Sequence, residues 1–367
     1  MFSLFNDFFN NTNGFFHLFS YTTTRCGFAL VFSFLITILT MPKYIAFSKQ
    51  WQFKNGQNGQ PIRGNYLPEH MEKIGTPTMG GVMIILSTIF TTILSADLSN
   101  YYIILLILSF LFFGALGFID DYNKVHKKDV GGISAKAKMI VQFAVSLFII
   151  VALNYCVNSP EYSSQLTFPF FKKMVLNLGI VYTIFRLFVI IGSSNAVNIT
   201  DGMDGLAIVP IIFTSFVLLV FSYVIGNFSM SKYLFFTYQA GANEICVFLS
   251  ALIGSGIAFL WFNVKPAQIF MGDVGSLSMG GILGVVSVMI KSEFILAIAG
   301  GLFVLETLSV ILQVNYFKLT KGKRIFKMAP IHHHFQKSGW SETQVVVRFW
   351  IIAFFCALLA LSSLKVR

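Results

Sequence analysis

Ten apolar runs leave this chain little choice of fold. About 17 to 25 apolar residues are needed to cross the hydrocarbon of a bilayer. Runs near that length fall at 27–46, 79–96, 101–119, 139–156, 174–192, 206–226, 244–262, 275–290, 294–315 and 346–365. No polar stretch between them is long enough to bury a core of its own. The expected fold is an all-α integral membrane protein, a single polytopic membrane domain over 1–367. Composition agrees: 56% of residues are hydrophobic and 11% charged, against roughly a quarter charged in soluble domains. The run at 275–290 is short and glycine-rich, and gives the weakest span signal.

Lys and Arg in the loops set the orientation. With Arg186 set aside inside the fifth span, eighteen basic residues flank the junctions after odd-numbered spans and seven the other side. The bias places both termini outside and the odd loops in the cytoplasm. No basic residue precedes Arg25, so the first residues lack the n-region of a cleavable signal peptide. Residues 1–26 are an outer-face lead-in. Phe2, Phe5 and Phe9 at helical spacing suit an interfacial helix and equally a disordered Phe-rich segment. Cys26, Cys156, Cys246 and Cys356 show no CxxC or disulfide-type spacing and fit buried thiols.

Acidic residues number only 15, yet five aspartates fall in three cytoplasmic-side junctions. These are Asp120 and Asp121 in "FIDDYNK", Asp201 and Asp204 in "NAVNITDGMDGLA", and Asp273 in "FMGDVGS". Even-numbered spans start on that side and turn their positive N-terminal dipoles toward it. "GTPTMGG" opens the second span, with Thr76 expected as N-cap and Pro77 as the first helical residue. "GMDGLA" opens the sixth and "GDVGSLSMGG" the eighth. Such glycine-bearing starts suit phosphate binding through free N–H groups and, equally, close helix packing, as a GxxxG pair at Gly280 and Gly284 would give. Asp120 and Asp121 instead lie at a helix C-terminus, where adjacent carboxylates need a cation. Lys124 and Lys127 are near, and Mg²⁺ suits hard carboxylate oxygens. A solvated helix end is the bland reading.

"PIHHHF" holds His332, His333 and His334. Three consecutive histidines cannot all face one ion from a regular helix, and no Cys or HExxH pattern supports zinc; donation to phosphate, titration near neutral pH or simple solvation remain. Arg186 and Glu306 are the intramembrane charges; a pair between them would suit a structural role or a hydrophilic groove, where a transport pathway carries more charge at depth. Together these residues describe a site at the inner membrane face for a phosphorylated ligand, using Mg²⁺ and phosphoryl-transfer chemistry. The net charge of +11 favours anionic soluble substrates and anionic membrane lipids. No nucleic-acid partner is expected.

"GTPTMGG", "DDYNK", "NAVNITDGMDGLA", "FMGDVGSLSMGG" and "PIHHHF", in that order, closely resemble the bacterial phospho-N-acetylmuramoyl-pentapeptide transferases, within the polyprenyl-phosphate N-acetylhexosamine-1-phosphate transferase superfamily. The match runs from about Lys73 to the C-terminus, including "GWSETQVVVRFW". The resemblance implies a ten-span enzyme of the bacterial inner membrane with its site facing the cytoplasm. It implies Mg²⁺ as cofactor, UDP-MurNAc-pentapeptide and undecaprenyl phosphate as substrates, UMP and lipid I as products, and a homodimer at the family level.

By the same resemblance, Asp273 is the metal ligand and Asp120 and Asp121 the paired catalytic aspartates. Asp201, Gly202, Met203, Asp204 and Asn198 form a nucleotide-reading turn, and Phe270 stacks on the base. Asn263 and Gln313 match further polar positions, and Lys73, Thr78, Lys124 and Lys138 line the phosphate region. His332, His333 and His334 match the histidine motif. Gln336 stands where many members carry an acid, which is expected to tune the loop. The site would be built from loops 47–78, 120–138, 193–205, 263–274 and 316–345. Direct attack by the lipid phosphate and a covalent aspartyl intermediate both fit the residues, the first being favoured. The rivals are a transferase for a simple N-acetylhexosamine-1-phosphate, a transporter of lipid-linked or nucleotide sugar, and a membrane scaffold. The last leaves the aspartates unexplained.

Overall fold

A computed structural model describes residues 16–54, 75–126, 132–157, 159–168, 170 and 175–366. The Phe-rich start, Lys73, Lys127 and most of loop 47–78 lie outside the described residues. Among the described residues, ten long helices follow in chain order: α1 (Thr22–Lys54), α2 (Gly81–Ser95), α3 (Tyr101–His126), α4 (Ala135–Val157), α5 (Ile180–Thr200), α6 (Ile208–Gly226), α7 (Ile245–Asn263), α8 (Gly272–Met289), α9 (Gly301–Leu319) and α10 (Glu342–Val366). Nine are long and apolar enough to cross a membrane; α2, with 15 residues, is shorter. The chain is a multi-pass membrane protein. A small antiparallel hairpin, β1 (Gln165–Thr167) with β2 (Val175–Asn177), lies between α4 and α5.

The short, glycine-rich eighth run forms the centre of the bundle. α8 packs against α3 and α5, and residues 274–289 are buried throughout. Its weak hydrophobic signal has a structural cause: a helix that never meets lipid needs small residues for close approach more than bulky apolar ones. A Cβ on Gly81 of α2 would fall on the backbone of Gly275, and one on Gly117 of α3 on the Asp273 carbonyl. Gly280 and Gly284 lie against α5 backbone at Ser193, Ser194 and Ile190, as the GxxxG spacing anticipates. Ser278 and Ser287 return their hydroxyls to carbonyls of their own helix, so the polar groups cost little in the interior. The helices around this centre turn Leu, Ile and Phe outward, as lipid-facing surfaces require.

Two boundaries differ from the sequence expectation. α2 begins at Gly81, and Thr76 does not cap it; the Thr76 hydroxyl donates to the Ala267 carbonyl. Residues 77–81 pair with residues 270–271 instead. Phe270 N–H donates to the Pro77 carbonyl, and the Gly80 and Gly81 N–H groups donate to Phe270 and Met271. The N-terminal donors thought available for phosphate are therefore used by the chain itself. The ninth run is broken into a short helix, Glu293–Ala299, and α9, which starts beyond Gly300. The Thr214 hydroxyl donates to Ala299, the last carbonyl before the break.

Arg186 and Glu306 do not pair. Arg186 donates to Asn154 and to the Ser163 carbonyl, while Glu306 meets His332. Arg25, at the start of α1, forms a buried ion pair with Glu244, just ahead of α7.

The contact between α2 and α8 is testable by one methyl group. Gly81→Ala should lower thermal stability in detergent by about 1–3 kcal/mol, the usual cost of overpacking, whereas Gly27→Ala, which meets nothing within 4 Å, should leave the melting curve in place.

Candidate active site

Asp120 and Asp121 lie in the last two turns of α3, and Asp273 sits in the first turn of α8. The glycine contact at Gly117 lets the two backbones approach, and one ligand oxygen from each of the three carboxylates falls within 4.8 Å of the others. Asp120 and Asp121 are buried; Asp273 is partly exposed.

Each carboxylate has a different compensation. Lys124 Nζ lies 2.6 Å from Asp120 Oδ2 and 3.0 Å from Asp273 Oδ2, and Lys138 Nζ lies 2.8 and 2.9 Å from the same two oxygens. Asp120 also accepts from the Ile133 N–H at 2.6 Å. Asp121 Oδ2 accepts from the Val274 N–H at 3.2 Å, so it sits at the positive end of α8. That answers the repulsion expected of a carboxylate pair at a helix C-terminus: the compensating dipole comes from a different helix. Gly272 is required here, since it has φ +73° and a Cβ would strike Asp121 Oδ2.

Three carboxylates face two ammoniums across this cluster. Hard carboxylate oxygens converging at this spacing fit a divalent ion such as Mg²⁺. Among the described residues this is the one group of three or more acidic, His or Cys side chains close enough to hold a metal.

The 198–205 stretch adjoins the cluster. Asn198 Nδ2 donates to Asp273 Oδ1 at 2.9 Å and to Ser276 Oγ at 2.8 Å, so it orients the carboxylate. Asp201 ends α5 and is half-buried. Met203 is buried in a small core with Leu206, Val345 and Phe349. Asp204 is buried too: its carboxylate accepts from the Ala267 N–H at 3.2 Å, and its own N–H donates to Glu342. Both ends of the Asn263 amide are engaged by backbone, Oδ1 by Gly205 N–H at 3.0 Å and Nδ2 by the Ile269 carbonyl at 2.8 Å. Asp204 and Asn263 thus brace the 201–205 turn against the 263–271 loop. That loop also carries half-buried Phe270.

Thr78 is buried beside Gly272, with its backbone held by Ser48 and Gln52 of α1. Gln313 accepts from the Ile325 and Phe326 N–H groups and shapes the loop after α9.

The three histidines diverge, as their adjacency requires. His332 points inward to Glu306, His333 Nδ1 meets Gln336 at 2.9 Å, and His334 Nδ1 accepts from the Lys327 N–H. Gln336 therefore takes a hydrogen bond inside the loop. The Trp340 ring of the "GW" segment stacks on Phe335 and is covered by Arg348.

Over residues 102–291 the chain matches glycosyl transferase family 4. The phospho-N-acetylmuramoyl-pentapeptide-transferase of Rickettsia rickettsii (strain Sheila Smith) is 53% identical to it over 351 residues, 96% of each chain. Those of Rickettsia felis and Rickettsia bellii are 52% and 51% identical over the same length. The chain belongs to the phospho-N-acetylmuramoyl-pentapeptide transferase family. It is a membrane-embedded transferase, and the transporter and scaffold readings fall away.

Three residues of this region escaped the sequence reading, Ser276, Glu342 and, as an ion-pair partner of Glu342 at 3.0 Å, Lys265, while Glu306 reads as an intramembrane charge without its partner His332. An acid just ahead of or inside an apolar run was the available signal for the two glutamates. Ser276 had none.

The bracing role of Asn263 predicts that Asn263→Ala, which strands a buried N–H and a buried carbonyl, will cost about 1–3 kcal/mol per stranded group. Thermal unfolding in detergent would read the loss, and activity should fall with it.

Proposed function

We propose that this enzyme transfers phospho-MurNAc-pentapeptide from UDP-MurNAc-pentapeptide to undecaprenyl phosphate at the cytoplasmic face of the bacterial inner membrane, giving lipid I and UMP. The observation that carries the proposal is the Asp120–Asp121–Asp273 cluster bridged by Lys124 and Lys138. Carboxylates that converge on one point, with two lysine ammoniums held between them, suit a pyrophosphate and the metal that accompanies it. The basic excess of the odd-numbered loops supports the inward orientation.

Asp273 would hold Mg²⁺ with Asp120 and Asp121 in reach, and the ion would supply neutralisation of the charge that develops on the bridging phosphates. Lys124 and Lys138 hold the anionic groups. In the resting arrangement both ammoniums are shared between Asp120 and Asp273, so they are positioned without substrate. Asn198 keeps the Asp273 carboxylate from turning.

An oxygen of the lipid phosphate attacks the donor β-phosphorus, the bond from that phosphorus to the bridging oxygen breaks, and UMP leaves with the electron pair. A phosphate monoester with a second pKa of about 6 is largely dianionic near neutral pH, so the nucleophile needs little help from a base. Asp120 already accepts from two ammoniums and a backbone N–H, which makes it a poor nucleophile. Both points favour the direct route over a covalent aspartyl intermediate.

Purified protein in detergent should release UMP from UDP-MurNAc-pentapeptide with undecaprenyl phosphate and Mg²⁺, and stop on chelation. Release from UDP-N-acetylglucosamine instead would assign the chain to the simple-sugar branch. Asp273→Asn should reduce turnover about 10²–10³-fold, the scale of losing a principal electrostatic stabiliser, with the fold intact; near-wild-type turnover would remove Asp273 from the metal site. A labelled protein adduct after denaturation with donor and no lipid would overturn the direct route.

A further inference from the structure

Glu306 lies in α9 with no exposure to solvent, and a carboxylate at such a position is costly unless something holds it. Its Oε2 is 3.0 Å from His332 Nδ1, and the imidazole is itself buried. The other ring nitrogen, His332 Nε2, is buried without a hydrogen-bond partner. It rests directly on Gly202: a Cβ there would collide with Nε2 and would lie 2.8 Å from Cε1.

Gly202 does not have a positive φ, so its backbone conformation is open to other residues. The space occupied by the imidazole is what demands glycine. Glu306, His332 and Gly202 therefore form a stack drawn from three separate parts of the chain: α9, the short helix Ile331–Gln336 and the turn between α5 and α6.

We infer that Glu306 is a positioning residue for the nucleotide site, fixing the ring of His332 so that it supports the 201–205 turn from beneath. The carboxylate accepts from Nδ1–H and thereby sets which edge of the ring faces Gly202. The same turn is held from its other side by Asp204 on Ala267 and Asn263 on Gly205. Without Glu306 the ring is free to rotate and one support of the turn is lost. The consequence falls on donor affinity more than on the chemical step, because the carboxylate and lysine cluster is anchored separately on α3, α4 and α8. The kinetic half of this inference rests on the donor proposed above; the structural half does not.

The test compares wild type, Glu306→Ala and Glu306→Gln in detergent by two measurements. Hydrogen exchange followed by mass spectrometry reads the 198–207 backbone without any substrate. Steady-state kinetics reads UMP release against UDP-MurNAc-pentapeptide concentration. Glu306→Ala should speed exchange in that segment about tenfold and raise the donor KM about tenfold with kcat changed less than about threefold, as loss of a hydrogen bond to a charged group would give. Glu306→Gln keeps an acceptor opposite Nδ1–H and should recover most of both effects. Gly202→Ala should reproduce the KM defect, since it pushes the turn off the same ring.

Unchanged exchange in Glu306→Ala overturns the positioning role whatever the donor proves to be. So does a fall in kcat at constant KM, which would make the carboxylate a partner of His332 in the chemistry itself. A wild type that ignores the muramoyl donor while Glu306→Ala still loosens the turn would refute the proposed substrate and leave the stack standing.

Discussion

Everything functional in this protein depends on how closely α8 is allowed to approach its neighbours. Asp273 is in the first turn of that helix, and Asp120 and Asp121 are on α3. Their carboxylates converge because Gly117 of α3 offers no Cβ to keep the Asp273 backbone away, and because Gly81 meets Gly275 on the opposite side. Side chains at those positions would open the gap by a methyl group or more, and the lysines could no longer reach across it. The site is thus a product of helix packing, with chemistry placed at the end of a tightly seated rod.

The charges are arranged so that no single partner carries the whole load. Two ammoniums are shared between Asp120 and Asp273, the N-terminus of α8 serves Asp121, and an amide from α5 fixes the remaining oxygen of Asp273. Buried carboxylates need such compensation, and supplying it from four helices ties the packing of the bundle to the geometry of the site. Further out, the 201–205 turn is held by side chains from α7, α10 and the histidine segment, so this part of the site is braced by parts of the chain far apart in sequence.

Some elements were legible in the sequence because their signal is local. Span lengths, the clustering of five aspartates among few acids, and the impossibility of three adjacent histidines facing one ion all follow from spacing. Other readings missed because the deciding partner lay elsewhere. Thr76 and Pro77 carry good helix-start chemistry, yet residues 77–81 pair with the 270–271 backbone and α2 starts later. The eighth run read as the weakest span because its small residues answer to neighbouring helices. Glu306 read as a candidate partner for Arg186, and its actual partner is a histidine 26 positions on.

The membrane class and the positions of the apolar helices follow from the sequence alone, although among the described residues the ninth run is split at Gly300 and nine helices, not ten, are long and apolar enough to cross a membrane. Hydrophobic length and charge distribution are properties of a segment and survive without knowledge of its neighbours. Which carboxylates share a lysine, which helix dipole faces Asp121 and which ring faces Gly202 were settled by the fold. Those are contacts between distant segments, fixed by distances of a few ångströms that no local pattern encodes.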